Sequence, residues 1–117
     1  FGLPILYTEG KKLNPPVTFS EISKWCSWNT AKQVGLSHCK GKIRVGYDAD
    51  FLVFDPNVTY VVANQKTYFK NKLTAYNGME FTGRVVETHV RGQNVFTYGK
   101  GHSDIPKGKL ILEPRLI

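Results

Sequence analysis

The spacing of apolar residues changes once along this chain, near Lys40, and that change limits the architectures open to it. Before it, hydrophobic residues recur at helical intervals; after it they alternate or run on, as strands do. Residues 1–12, with Leu3, Leu6 and Tyr7 ahead of Gly10, suit a short helix or its approach. Pro15-Pro16 stops that run, because proline has no N–H to donate and restricts the residue before it. Thr18-Phe19-Ser20-Glu21 then has capping-box form, with Thr at the cap and Glu three residues on. Phe19, Ile22 and Cys26, with Trp25 beside them, are predicted to share a buried face, and Glu21 and Lys24 to lie outside. Thr30-Ala31-Lys32-Gln33-Val34 predicts a second short helix, ended by Gly35, since glycine accepts the left-handed conformation that closes a helix.

Beyond Lys40 the pattern is extended. Gly41-Lys42-Ile43-Arg44-Val45-Gly46 alternates polar and apolar residues and predicts a short half-buried strand. Phe51-Leu52-Val53-Phe54, closed by Asp55-Pro56, predicts a strand buried on both faces, and Thr59-Tyr60-Val61-Val62 a third strand. Residues 63–83 are polar and irregular, too long for an ordinary connection, so a docking task is expected, with Tyr68, Phe69 and Tyr76 as apolar anchors. Residues 84–98 read as a hairpin turning at Gly92. The tail, residues 99–117, is rich in Gly, Pro and Lys, with Leu110-Ile111-Leu112 as its apolar element. Helices first and strands after is an α+β signature. Four or five strands without a closing partner, however, leave open edges, which natural proteins avoid.

With 117 residues, a single domain is the natural size. The 41% hydrophobic and 21% charged content is that of a globular chain rather than a disordered one. No apolar run approaches the roughly 20 residues of a membrane-spanning helix, so an integral membrane protein is not expected. Phe1 opens an apolar stretch with no basic leader, which does not read as a signal peptide and leads us to expect further sequence upstream. Sixteen Lys and Arg against nine Asp and Glu give a net charge of +7, a balance that suits nucleic acid or an anionic surface. The lysines are scattered, and only residues 60–76 interleave them with aromatics, so a solvated surface on a piece of a larger, more neutral protein is expected. Cys26 and Cys39 form no CxxC pair. Cys26 reads as a buried free thiol, and an intracellular compartment follows as the default. The sequon Asn57-Val58-Thr59 has little meaning without a secretory signal.

The inventory of reactive groups is thin. His38, His89 and His102 make neither His-x-His nor His-Glu-x-x-His. His89 alternates with Glu87 and Arg91 on a polar strand face, a structural position, and His38 beside Cys39 supplies two ligands at most. Asp48-Ala49-Asp50 resembles the start of a calcium loop, but Leu52 stands where the next oxygen ligand belongs, so these carboxylates are expected to accept backbone N–H groups in a turn. Gly99-Lys100-Gly101-His102 is no phosphate loop, and Ser20 and Ser27 lack a glycine-flanked elbow. No catalytic, metal-ligating or substrate-binding residue is therefore expected in this chain.

Longer motifs carry more information. Ser27-Trp28-Asn29-Thr30-Ala31-Lys32-Gln33-Val34-Gly35-Leu36 resembles the S-x-N-x-A-x-x-x-G-L segment of the cyclic amidohydrolases, where it closes the last helical part of a (β/α)₈ barrel. Lys40-Gly41-Lys42-Ile43-Arg44-Val45-Gly46-Tyr47-Asp48-Ala49-Asp50-Phe51-Leu52-Val53-Phe54-Asp55-Pro56 is similar to that superfamily's K-G-x-I-x-x-G-x-D-A-D-h-h-h-h-D-P signature, h being apolar. Lys70-Asn71-Lys72-Leu73-Thr74-Ala75-Tyr76-Asn77-Gly78, followed by Gly83-Arg84-Val85-Val86-Glu87-Thr88-His89-Val90-Arg91-Gly92, resembles the allantoinase branch, with Phe69 where many members have His and Ala75 where they have Pro. Phe1-Gly2-Leu3-Pro4-Ile5-Leu6-Tyr7-Thr8-Glu9 resembles the segment after that branch's last metal-binding loop.

The resemblance implies an α+β fragment: residues 1–36 as the last helices of a (β/α)₈ barrel, 37–62 as C-terminal strands of the small β-sandwich domain, 63–83 as a connection docked on the barrel, and 84–117 as hairpin and tail. It implies a parent enzyme that hydrolyses the cyclic amide of allantoin to allantoate. That enzyme would use two zinc ions bridged by a carboxylated lysine and a hydroxide, the metals lowering the pKa of water and polarising the carbonyl. An aspartate that also ligates metal would handle the proton. All these ligands would precede Phe1, and none is carried onto the histidines here. The expected partners are allantoin, the N-terminal part of the same enzyme and further copies in a homo-oligomer, with no nucleic acid and no membrane. The cytoplasm is the default compartment, with peroxisome or mitochondrion as alternatives. Arg115-Leu116-Ile117 is not a peroxisomal tripeptide. A dihydropyrimidinase or hydantoinase activity is the nearest alternative, and a small basic module that binds nucleic acid the more distant one.

Overall fold

A computed structural model describes residues 1–112. The end of the predicted tail, residues 113–117, lies outside the described residues. The helical half comes first, as the apolar spacing predicts. Helix α1 spans Gly2–Gly10. Helix α2, Phe19–Ser23, runs through a π-helical turn, Lys24–Trp28, into α3, Asn29–Gln33, with right-handed helical backbone at each junction. The capping box is formed: the Glu21 N–H donates to Thr18 Oγ1 at 3.3 Å and the Thr18 N–H to Glu21 Oε2 at 2.8 Å. These bonds from the Thr18 backbone and hydroxyl hold the Glu21 carboxyl below its usual pKa. Gly35 closes the rod at φ 72°.

Phe19, Ile22 and Cys26 share a face, but that face looks onto an open groove. Ile22 is buried there, whereas Cys26 is exposed, which corrects its reading as a buried thiol: no described residue packs over that part of the helix.

The extended half forms one antiparallel sheet in the order β1-β2-β3-β4, comprising β1 (Phe51–Val61), β2 (Glu80–Val90), β3 (Gln93–Thr97) and β4 (Gly101–His102). Three strand expectations change. The runs predicted as separate second and third strands are one, because the register against β2 skips between Asp55 and Thr59. That bulge accommodates Pro56, which cannot donate to a ladder, while Asp55 Oδ1 accepts the Asn57 N–H at 2.9 Å. Phe51, Leu52 and Val53 are exposed rather than buried on both faces. The strand predicted for 41–46 is absent: Gly41 and Gly46 have φ of 90° and 86°, the segment turns on itself, and no strand pairs with it. The hairpin is as predicted, though its first strand begins at Glu80 rather than Arg84. Arg91 and Gly92, at φ 47° and 75°, form its two-residue turn between the paired Val90 and Gln93.

Helix and sheet meet at two places along β2. Phe81 is fully buried, with the rings of Phe1, Tyr60 and Tyr76 around it at centroid distances of 6.0, 6.1 and 5.7 Å. Phe69 and Tyr76 also pack against Phe1, whereas Tyr68, the third expected anchor, turns instead to Phe96 and His102 on the sheet. One residue beyond Phe81, the Thr82 N–H donates to Thr8 Oγ1 at 3.0 Å. Next to that, Tyr7, Phe19 and Phe54 pack ring to ring across Gly83, joining α1, α2 and β1. Gly83 has φ 97°, and a Cβ there would lie 2.4 Å from Phe54 Cζ and 2.8 Å from Tyr7 Cδ1. Both the backbone angle and the space exclude a side chain. Gly83→Ala is therefore expected to lower the unfolding free energy of the protein by about 2–3 kcal/mol, read as a shifted denaturant midpoint. A shift no larger than that of an exposed Gly2→Ala control contradicts this close approach.

Candidate functional site

The most connected polar cluster lies where the helical rod passes into β1. Lys40 Nζ reaches Asp48 Oδ2 at 2.9 Å and also bonds Asp50 Oδ2. The other Asp50 oxygen accepts the Arg91 N–H at 2.9 Å, and the Gly92 N–H donates to Ala49 O at 2.9 Å. Asp48-Ala49-Asp50 thus ties the loop after the helices to the β2–β3 turn. The expectation that its carboxylates accept backbone N–H groups holds for Asp50; the lysine bridging both carboxylates was not foreseen.

Partial burial disfavours the charged form of Asp50, but the bonds from Lys40 and the Arg91 N–H outweigh it and hold its pKa below the usual value. Burial likewise disfavours the charged Lys40, and its two carboxylates outweigh that, raising its pKa. Gly41 lies close against the helix, where a Cβ would come 2.8 Å from Ala31 Cβ and 2.9 Å from Ser27 O. Lys42 Nζ sits 3.7 Å from the Trp28 ring centroid.

Beside this cluster an apolar groove of about 690 Å³ runs between the rod and β1, lined among others by Ile22, Cys26, Val34, Ile43, Leu52 and Phe54. It offers shape and apolar surface. Its charged members are Lys40, Lys42 and Asp50: Lys40 and Asp50 are paired with each other, and Lys42 lies over the Trp28 ring.

A second cation is held between rings. The Arg84 guanidinium lies between Tyr60 and Tyr98, 4.4 and 4.1 Å from their centroids. Burial, partly opposed by the Arg84 charge, raises the Tyr60 hydroxyl pKa. No local sequence rule brings these three residues together, since they come from β1, β2 and the turn after β3.

The histidines are dispersed. His89 Nε2 lies 2.9 Å from Glu87 Oε2, and its ring stacks on Phe51 at 4.6 Å. His102 packs edge-on against Tyr68, and His38 is exposed in a turn. Cys39 Sγ donates to Leu36 O at 3.7 Å. Among the described residues no three His, Cys, Asp or Glu side chains converge as metal ligands would. No helix among them is long and apolar enough to cross a membrane. The arrangement binds elements together and presents an apolar surface.

Comparison with known proteins gives this geometry a context. Residues 6–95 match the amidohydrolase family. The chain is 49% identical over 114 residues to an allantoinase of Saccharomyces cerevisiae, spanning 97% of this chain and 24% of that protein. It is 42% identical over 118 residues to a probable allantoinase 2 of Dictyostelium discoideum, spanning 99% of this chain and 22% of that protein. Among solved structures, an L-hydantoinase (dihydropyrimidinase) from Arthrobacter aurescens superposes with a TM-score of 0.78 at 29% identity, over 86% of this chain and 22% of that one. A D-hydantoinase from a Bacillus sp. gives 0.77 at 31% identity, over 85% and 21%. The chain spans about a quarter of the length of the curated relatives it matches.

The Lys40 cluster has a defined pH signature. The depressed Asp50 pKa contributes stability above the ordinary carboxylate value of about 3.9 and loses it as pH falls through the folded value. The raised Lys40 pKa contributes below about 10.4 and is lost as pH rises through its folded value. Lys40→Met is therefore expected to cost about 1 kcal/mol at neutral pH and to converge with the parent as pH falls through the folded Asp50 value. Denaturant midpoints measured across pH check this; a deficit of equal size at pH 2 and pH 7 contradicts it.

Proposed function

Because the chain belongs to the amidohydrolase family, we propose that it is the C-terminal part of an allantoinase, a metal-dependent hydrolase that opens the hydantoin ring of allantoin to give allantoate. The observation that carries this reading is the 49% identity to the yeast allantoinase, sustained over 97% of the chain. In this reading residues 1–36 end the (β/α)₈ barrel, 37–62 are strands of the small β-sandwich, 63–83 dock on the barrel, and 84–117 are the β-hairpin and C-terminal tail.

A two-zinc centre does not fit the donors of this chain. Among the described residues none converge in threes, His89 is engaged by Glu87 and Phe51, and Asp48 and Asp50 are engaged by Lys40. We therefore assign both metals, the carboxylated lysine and the proton-handling aspartate to the portion of the enzyme outside this chain, and no chemical step to the residues described. The contribution of this chain is structural: it supports a barrel end and supplies strands. By itself it should neither hold metal nor open the ring. The reading also includes a homo-oligomeric enzyme in the cytoplasm, with allantoin as its partner and neither nucleic acid nor membrane.

A second reading, a hydantoinase or dihydropyrimidinase, is favoured by one observation, the TM-scores of 0.77 and 0.78 to such enzymes. Those rest on lower identity than the allantoinase matches do. Substrate choice separates the two. The full-length enzyme is expected to favour allantoin over dihydrouracil by about 100-fold or more in kcat/KM, measured by allantoate release and by loss of the dihydrouracil ring absorbance. A preference for dihydrouracil contradicts the proposal.

A further inference from the structure

We infer that residues 41–46 form a rigid apolar arm that seats, with the adjoining groove, on the remaining portion of the same polypeptide. Ile43 and Val45 are 92% and 100% exposed, an unusual position for two β-branched residues in a fixed loop. They are fixed because both ends of the loop are anchored. At one end Gly41 is pressed against Ala31 and Ser27, and Lys40 bridges Asp48 and Asp50. At the other, the Asp48 N–H donates to Cys39 O at 2.9 Å and the Tyr47 hydroxyl to Ser37 O at 2.8 Å. Lys42, between the glycines, is turned back onto Trp28. Lys42 is thus laid on the Trp28 ring and the Arg44 guanidinium stands 5.9 Å from the Tyr47 ring, while the apolar Ile43 and Val45 are held out into solvent, which apolar side chains avoid.

Ile43 also lines the apolar groove, so arm and groove form one continuous surface with Leu52 and Val34. Its extent is that of an interface. The chain exposes 8764 Å², against about 6,400 Å² for a self-contained monomer of its mass. The surplus, on the order of 2,000 Å² and shared with the extended C-terminal stretch, is enough for one side of an obligate contact. Two facts select the occupant. The chain spans about a quarter of its relatives' length, which leaves most of such a protein to cover it. It also superposes on that share of solved relatives as a folded unit. The net charge of +7 and the Arg44 guanidinium, which meets no carboxylate among the described residues, call for acidic groups at the rim of the covering surface.

The inference rests on the proposed membership of a longer amidohydrolase, and thiol labelling tests it separately from the activity. Ile43→Cys, Val45→Cys and a control, Lys100→Cys in the exposed turn after β3, are made in the full-length enzyme. Each is treated with a maleimide, and the modified peptide is quantified by mass spectrometry. Cysteines at 43 and 45 are expected to react about 100-fold or more slowly than the control in native enzyme, and at the control's rate in urea. Native reaction as fast as the control overturns the inference. Protection that disappears on dilution to single chains assigns the arm to a second copy and likewise overturns it. Allantoin turnover on the same preparations keeps the two readings apart: fast labelling in an enzyme that opens allantoin sinks only the arm, and protection in one that does not sinks only the substrate.

Discussion

The Thr8 hydroxyl donates to Pro4 O at 2.7 Å, has Thr82 O as a second acceptor at 3.1 Å, and accepts the Thr82 N–H at 3.0 Å. One side chain of α1 thereby occupies a backbone position that a neighbouring strand would otherwise fill, and it does so in a buried setting where an unmet donor costs about 1–3 kcal/mol. The residues on either side of Thr82 follow from that fixed approach. Phe81 is driven into the ring cluster with Phe1 and Tyr76, and Gly83 must lack a side chain for Phe54 and Tyr7 to close over it. The spacing between helix and sheet is set here.

A second anchoring system acts at the opposite end of β1. Lys40, Asp48, Asp50 and the Arg91 N–H join the loop after the helical rod, the residues just before β1 and the β2–β3 turn. This gives a physical account of the K-G-x-I-x-x-G-x-D-A-D pattern. The lysine and the aspartates make the clasp, and the first glycine admits the helix. The isoleucine is the residue left pointing outward.

Features governed by neighbours in sequence were legible without coordinates. The Thr18–Glu21 box, the stop at Gly35 and the turn at Gly92 each rest on a bond or a backbone angle within four residues. What failed was burial. The alternation at Ile43 and Val45 and the run from Phe51 to Val53 led to an expectation of burial that the described residues do not meet, because a period marks apolar residues without telling what packs over them. The same limit explains Cys26, whose helical face was identified while its cover was assumed. Contacts between distant segments, such as Lys40 with Asp50 or Arg84 between Tyr60 and Tyr98, have no local signature. The family motif pointed to the cluster without revealing what it does.

In the proposed reading, a chain with two internal anchors, few buried apolar residues and a broad apolar surface is completed by the rest of the enzyme. Metal analysis of the purified 117-residue chain alone, combined with an allantoin assay on the same sample, tests this most directly. The account predicts no stoichiometric zinc and no allantoate, in contrast to a metal-loaded, active full-length enzyme. Tightly held zinc at one ion per chain, or ring opening by the isolated chain, would contradict it.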